Sequence, residues 1–448
     1  MTVAFHTLGC KVNQCDTEAL VGALRGRDIE TVGFGQFADV YVVNTCTVTH
    51  VSDRKSRQMI RRVRKINPAA LVAVCGCMTK KWDEGLPGEL GVDFVFDARE
   101  PEGFFSWVGG VSGFIGDGLS HGIAGQVRND GIQESQELIK PSRTRAFIKI
   151  QDGCDRFCSY CIVPYVRGKL TSYPVSEIID QARVLVEKGT KEIVLTGIQA
   201  ASYGDDISAE EGGVSLAALI SRLSKVLAPE GLKRLRLSSI DPWGVTDFFL
   251  ESVARSSILC DHFHLSLQSG CDRTLLDMNR RYTGLEYAKT AESLLKLRPE
   301  AALTTDIIVG FPGESDADFC ESMDFVRKMG FARVHVFEYS PREGTAATKM
   351  PGKVPQDVKS RRGSAMRELA DECQRNFLQA QIGKTLSVLI ESKLDVESET
   401  KRESVYIGHT ENYCPVKVIS DRDLVNHIVE TKIITLEDKV LTGHIGRK

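Results

Sequence analysis

Residues 147–165, FIKIQDGCDRFCSYCIVPY, carry Cys154, Cys158 and Cys161 in a Cys-x-x-x-Cys-x-x-Cys loop directly behind an apolar strand. Thiolate is a soft ligand, so the set suits an iron–sulfur cluster or zinc. Three thiolates on one tight loop can bind three irons of a cubane and leave the fourth iron open for chemistry. A structural zinc site needs a closed fourth ligand, and no His or Cys follows nearby. Three packed cysteines are the plain alternative. An aromatic residue, Tyr160, precedes the last cysteine.

A second set is spread along the first 118 residues. Apolar runs there (TVAFHTL, VYVVNT, LVAVCG, VDFVF) alternate with helical stretches near Asp16–Arg27 and from about Asp53. That is an α/β pattern with a mainly parallel sheet. Such sheets gather ligands at the carboxyl ends of their strands. Cys10 follows the first strand, Cys46 the second and Cys77 the third, so the three can converge on one sheet edge; three small buried cysteines fit the same positions. Cys75 precedes Cys77 by two residues and is expected to pack on the other side. Arg54, Arg57, Arg61 and Arg64 share one helical stripe, with Met59, Val63 and Ile66 opposite. Without interleaved acids this stripe suits phosphate contact, although a solvated face gives the same pattern.

The elements that must position these residues fall into three regions. We expect an N-terminal domain over 1–118, a polar linker over 119–139, a second domain over 140–372 and a third over 373–448. In the second, the strand-like runs RAFIKIQ, EIVLTGI, LRLSSI, HFHLSLQ, LTTDIIVGF and RVHVFEY alternate with helices. Six such units predict a partial, open (β/α)6 barrel whose strand-end loops build the site. Ser239, Gln268 and Arg280 lie in those loops and offer donors to a cofactor's ribose and carboxylate. Asp306, within the fifth strand, is expected to face the barrel interior. The last region has short β-rich runs between charged turns and predicts a small antiparallel barrel. Tyr406 and Tyr413 there can stack bases or fill the barrel.

Composition narrows the functional classes. The 57 basic and 60 acidic residues give a formal charge of −3, so any nucleic-acid surface must be local. No apolar run is long enough to span a membrane, and the chain opens on strand-like sequence, so no signal peptide and a cytoplasmic location are expected. Thirteen cysteines in a reducing compartment argue for metal before disulfides.

The loop at Cys154, Cys158 and Cys161 resembles that of the radical S-adenosylmethionine superfamily, in which the open iron chelates the cofactor's amino and carboxylate groups. LGCKVNQCDTEAL, NTCTVTHVSDRKSR and VCGCMTKK resemble the N-terminal domain of the methylthiotransferases. That resemblance implies Cys10, Cys46 and Cys77 as ligands of an auxiliary [4Fe-4S] cluster, hence two [4Fe-4S] clusters and S-adenosyl-L-methionine as cofactors. The strand-end sequences LTGIQAASYG, RLSSIDPWG, LSLQSG and IVGFPGES are similar to motifs of the same family, and the C-terminal region resembles its RNA-binding TRAM domain.

The implied activity is radical transfer of a methylthio group. Cleavage of S-adenosylmethionine would give a 5′-deoxyadenosyl radical, the auxiliary cluster would deliver sulfur, and a second S-adenosylmethionine would supply the methyl group. LGCKVNQ, with TGI after the second strand, looks most like the branch acting on N6-threonylcarbamoyladenosine at position 37 of the tRNA anticodon loop. The isopentenyladenosine branch and the branch modifying a ribosomal-protein aspartate are the alternatives. The expected partners are tRNA and a low-potential electron donor. A non-catalytic iron–sulfur RNA-binding or redox-sensing protein is the reading from another class; an open three-cysteine loop argues against it. Two departures stand out: RGKLTSYP keeps only Arg167 and Lys169 of an arginine-rich family segment, and Cys271 replaces a more usual Ser.

Overall fold

The computed structural model describes all residues except 26, 28, 84, 119–143, 209–213, 395–403 and 447–448, and no side chains of 112–118. The expected linker, 119–139, lies outside the described residues. The chain forms two compact units, Met1–Lys140 with Tyr165–Arg167, and Pro141–Pro164 with Gly168–Lys448.

In the first unit, β1 (Thr2–Thr7), β2 (Glu30–Val32), β3 (Val40–Thr45), β4 (Leu71–Gly76) and β5 (Phe94–Val95) form one parallel sheet in the order β2-β1-β3-β4-β5. Every residue of β3 is buried, as befits a central parallel strand covered on both faces. Helix Lys11–Leu24 starts five residues before the expected helix, with Cys10 at its N-cap position and no side-chain cap. Helix His50–Ile66 starts on Thr49, whose hydroxyl accepts the Ser52 N–H at 3.1 Å. Helix Glu102–Gly118 has no counterpart in the sequence reading; its repeated glycines obscure the pattern.

The second unit holds the open barrel. β6 (Arg145–Lys149) leads to a short hairpin of β7 (Gln151–Asp152) and β8 (Thr171–Ser172) that brackets the cysteine loop. β9 (Glu192–Thr196), β10 (Arg234–Leu237), β11 (Ser239–Ile240), β12 (His262–Leu265), β13 (Ala302–Val309) and β14 (Arg333–Glu338) follow, each major strand separated from the next by helix. They pair in parallel as β10-β9-β6 and β11-β12-β13-β14; β10 and β11 are one strand broken at Ser238, which carries the chain from one sheet to the other. One core runs between these strands and the outer helices, including Ile193, Leu235, Phe263, Ile307, Leu219 and Ala291.

The C-terminal strands β15 (Thr385–Leu394), β16 (Ser404–Thr410), β17 (Pro415–Ser420), β18 (Ile428–Glu437) and β19 (Val440–Ile445) close into a five-stranded barrel. Its pairings are antiparallel except β17 with β19, which is parallel. The division drawn at 372/373 falls inside helix Gln356–Gln379, which continues unbroken towards β15. Tyr406 is 3 % exposed and fills this barrel.

The small barrel seats its 409–413 turn on the amino ends of the parallel strands. Glu192, fully buried, lies 2.7 Å from Arg236 Nε, 3.0 Å from Arg145 Nε and 3.7 Å from Arg234 Nη1. The other guanidinium edges donate to the turn: Arg234 to His409 O at 2.9 Å, and Arg236 to Glu411 O at 2.9 Å. Tyr413 lies under the guanidiniums of Arg145 (5.0 Å) and Arg236 (4.7 Å), and its hydroxyl meets Arg145 at 3.0 Å. It serves this junction.

Candidate active site and cysteine clusters

The Cys154–Cys161 loop sits at the carboxyl end of β6, where the sequence places it. Gly153 makes the entry possible: at φ +69° a Cβ would lie 1.9 Å from Lys169 O. Phe157 within the loop and Asn279 opposite both have positive φ, and Asn279 Nδ2 donates to Phe157 O at 3.0 Å. Ser159 fixes the other side, its N–H on Met278 O at 3.0 Å and its hydroxyl on Asp277 O at 2.7 Å. The loop is thus held to the 277–279 turn by three hydrogen bonds, and its backbone strain is confined to the site.

The thiols fit the group their spacing implies. Burial pushes Cys154 up to about 11 and Cys161 up to about 12, so neither ionises at neutral pH without a cation. The Arg156 N–H points at Cys154 Sγ and the Val163 N–H at Cys161 Sγ, the hydrogen bonds that tune a cluster thiolate.

Beside Cys158 is a cavity of about 230 Å³ lined by Arg156, Cys158, Asp241, Trp243, Asn279, Arg280, Arg281 and Tyr282. Arg280 donates to Cys158 Sγ at 3.4 Å, to Tyr282 OH at 2.9 Å and to Asp241. Asp241 in turn accepts from Gln199 Nε2 at 2.6 Å, and the Gln199 N–H donates to Gln151 Oε1 at 2.7 Å. A chain of polar contacts therefore ties the ends of β9 and β11 to the sulfur of Cys158. The Arg156 guanidinium stacks 3.8 Å above Trp243, making one wall cationic and flat.

Of the four cofactor residues expected, Arg280 lines this cavity. Tyr160 packs with Met278, Phe311, Tyr339 and Ala347 beside it. Gln268 has φ +74°, and its backbone bridges Asp306 O and the Ile308 N–H. Ser239 is exposed on β11. Asp241, Trp243 and Gln199 stand in RLSSIDPWG and TGIQ without a signal that singles them out, because periodicity cannot show which of several strand-end polar residues turn inward.

In the first unit, Cys10, Cys46 and Cys77 follow β1, β3 and β4 and lie close together: charge on Cys10 raises Cys46, and charge on Cys46 and Cys10 raises Cys77. Gly9 permits this: at φ +107° its Cβ would meet Cys46 Cβ at 2.9 Å. Burial pushes Cys77 up to about 11, and the Val48 N–H points at Cys46 Sγ. Cys75 is fully buried in the opposite core with Phe5 and Val42. Arg167, 6 % exposed, binds Asn13 and lies 3.3 Å from Asp16, beside Cys77. Its guanidinium is thus engaged by the first helix, beside the thiol of Cys77. Cys271 is buried at the head of a short helix with Sγ 3.4 Å from Asp318, whereas Cys320 is exposed.

The arginine stripe needs one correction. Arg64 donates to Ala70 O (2.6 Å), Gly91 O (2.8 Å) and Asp93 (3.0 Å), because helix His50–Ile66 ends beside that turn. Arg54, Arg57 and Arg61 pair with no carboxylate among the described residues.

A strand-end three-cysteine loop over an open parallel barrel defines a radical S-adenosylmethionine enzyme. The superfamily model matches residues 148–326, and that of "Uncharacterized protein family UPF0004" matches 2–97. The threonylcarbamoyladenosine tRNA methylthiotransferase MtaB of Bacillus subtilis is 37 % identical over 434 residues, covering 97 % of this chain and 94 % of the relative. Its Aquifex aeolicus namesake is 35 % identical (90 % and 97 % covered), and a tRNA-2-methylthio-N(6)-dimethylallyladenosine synthase of Clostridium botulinum 33 % (98 % and 95 %). Among solved structures, the radical S-adenosylmethionine methyltransferase TsrM of Kitasatospora setae shares the fold at TM-score 0.54 and 14 % identity, with 76 % of each chain covered. The chain belongs to the radical S-adenosylmethionine tRNA methylthiotransferase family, which implies S-adenosylmethionine and a [4Fe-4S] cluster. No helix among the described residues is long and apolar enough to cross a membrane.

Proposed function

We propose that this enzyme transfers a methylthio group to C2 of N6-threonylcarbamoyladenosine at position 37 of tRNA. The observation that carries the reading is the likeness, over 90–97 % of the chain, to three proteins named as threonylcarbamoyladenosine enzymes. The Clostridium botulinum relative, 33 % identical over 446 residues, favours dimethylallyladenosine as the second reading.

Cys154, Cys158 and Cys161 would hold the radical cluster. Bound there with S-adenosylmethionine, it supplies hydrogen abstraction from an sp² C–H, which has no acidic proton for a base to take. Arg280 places a buried positive charge beside Cys158 Sγ and is kept in position by Asp241. The Arg156–Trp243 wall offers a cationic, planar surface to an adenine or a carboxylate. Cys10, Cys46 and Cys77 would hold a second [4Fe-4S] cluster, the source of sulfur. Arg54, Arg57 and Arg61 are the proposed phosphate contacts.

The test is nucleoside mass spectrometry of tRNA from cells lacking the gene, with and without a plasmid copy. Loss of 2-methylthio-N6-threonylcarbamoyladenosine, restored by the plasmid, is expected. Loss of the 2-methylthio-dimethylallyl nucleoside instead would transfer the assignment to the second reading. No change in either would overturn both.

A further inference from the structure

The barrel interior carries a polar cluster that the cysteine chemistry does not use. Phe263 and Leu265 on β12, Leu303 and Ile307 on β13, and Val334 on β14 pack outward against the helices. Strand alternation therefore turns His264, Asp306 and His335 to the inner face of three adjacent parallel strands. The registers put His264 beside Thr304 and Asp306 beside His335. Among the described residues this is the one group of three His, Cys, Asp or Glu side chains whose ligand atoms all lie within 4.8 Å of one another.

We propose that His264, Asp306 and His335 form a binding site for one divalent first-row transition metal. Two imidazoles and one carboxylate on a single face are a facial ligand set that leaves open positions. His264 Nε2 lies 3.3 Å from Asp306 Oδ2, yet the nitrogen is buried without a hydrogen-bond partner. The two atoms are close without facing each other as donor and acceptor, which is how two ligands of one ion stand. On its other side the ring is oriented from outside the site, with Nδ1 3.0 Å from Thr304 Oγ1. Metal-bound histidines use such a contact to fix the tautomer, and with Nδ1 donating to Thr304 Oγ1 the Nε2 lone pair is left for the ion. The donors are nitrogen and oxygen, harder than the thiolates, so the site selects differently from the cysteine clusters. The open positions face the barrel interior, where water or an oxygen donor of a bound molecule can complete the shell.

The ordinary alternative is a His264–Asp306 ion pair, and metal binding separates the two. The enzyme with its iron–sulfur clusters reconstituted is incubated anaerobically with Co²⁺, desalted, and measured for cobalt and iron, alongside Asp306→Asn and His335→Gln. We expect about one cobalt per chain in the wild type, with imidazole nitrogen couplings in its low-temperature magnetic resonance spectrum, and at least a tenfold loss of affinity in each variant at unchanged iron content. Retention of no cobalt by the wild type, or equal retention by wild type and both variants, would overturn the proposal. Far-ultraviolet circular dichroism and iron content establish that each variant is folded, and either variant alone decides the outcome.

Discussion

Replacing Glu192 by Gln removes the single carboxylate that three buried guanidiniums share. Burial pushes its pKa up, but Arg236, Arg145 and Arg234 outweigh that and hold the carboxyl at about 2 against an ordinary 4.5. At about 1.4 kcal/mol per unit, that difference is worth about 3 kcal/mol at neutral pH. The figure agrees with the roughly 3–5 kcal/mol lost when one partner of a buried ion pair is removed. Because the folded value is depressed, the contribution is complete above pH 4.5 and vanishes as pH falls towards 2. The guanidiniums hold the 409–413 turn, so the loss should appear there first. In the wild type the Tyr413 N–H donates to Thr410 O at 3.0 Å, and the Cys414 N–H to Thr410 Oγ1 at 2.8 Å. Hydrogen exchange at neutral pH should therefore run about 100-fold faster at these amides in Glu192→Gln, with the strands of the first unit unchanged. Protection altered by less than about threefold would refute the idea that this carboxylate secures the junction.

Cys158→Ala should abolish production of 5′-deoxyadenosine from S-adenosylmethionine and reductant in anaerobic assays; cleavage that survives would sink the ligand assignment. Cys75→Ala should keep its iron while losing about 1 kcal/mol of stability, because this thiol packs in the core; loss of iron would make it a ligand. Gly153→Ala should fail to hold the radical cluster, seen as lost iron and visible absorbance, since its Cβ would fall 1.9 Å from Lys169 O. Arg57→Glu with Arg61→Glu should weaken tRNA binding and flatten its salt dependence by about two counterions. Arg64→Ala should lower stability instead, and equal tRNA effects from all three positions would show that the stripe is not divided as its contacts indicate.

The parts of this fold that sequence reading caught are those set by local pattern. Apolar runs locate the six inner strands to within about three residues, because one face of each packs against the outer helices. The Cys154 loop is a local motif, so its place behind β6 was legible. What depends on packing was not. Arg64 reads like Arg57 on a helical wheel and differs only because the turns at Ala70 and Gly91 come back beside it. Tyr413 reads as a residue that stacks bases or fills the barrel until the arginines from β6 and β10 are found around it. Asp241 was printed in the motif beside Ser239, yet only the break at Ser238 decides which of them faces Arg280. His264, Asp306 and His335 are 71 residues apart end to end, and no local pattern joins them.

The Arg145–Glu192–Arg234–Arg236 junction bears on how this enzyme can be cut or recombined. The five-stranded C-terminal barrel looks like a detachable module, but it is also the lid on the underside of the larger barrel. A chain shortened at about residue 380 would not merely lose an accessory. It would bare three arginines around one glutamate and unseal the amino ends of β6, β9 and β10, leaving an opening opposite the cysteine loop. Chimeras that exchange the C-terminal barrel between family members should therefore carry the three arginines and the 409–413 turn as one inherited piece.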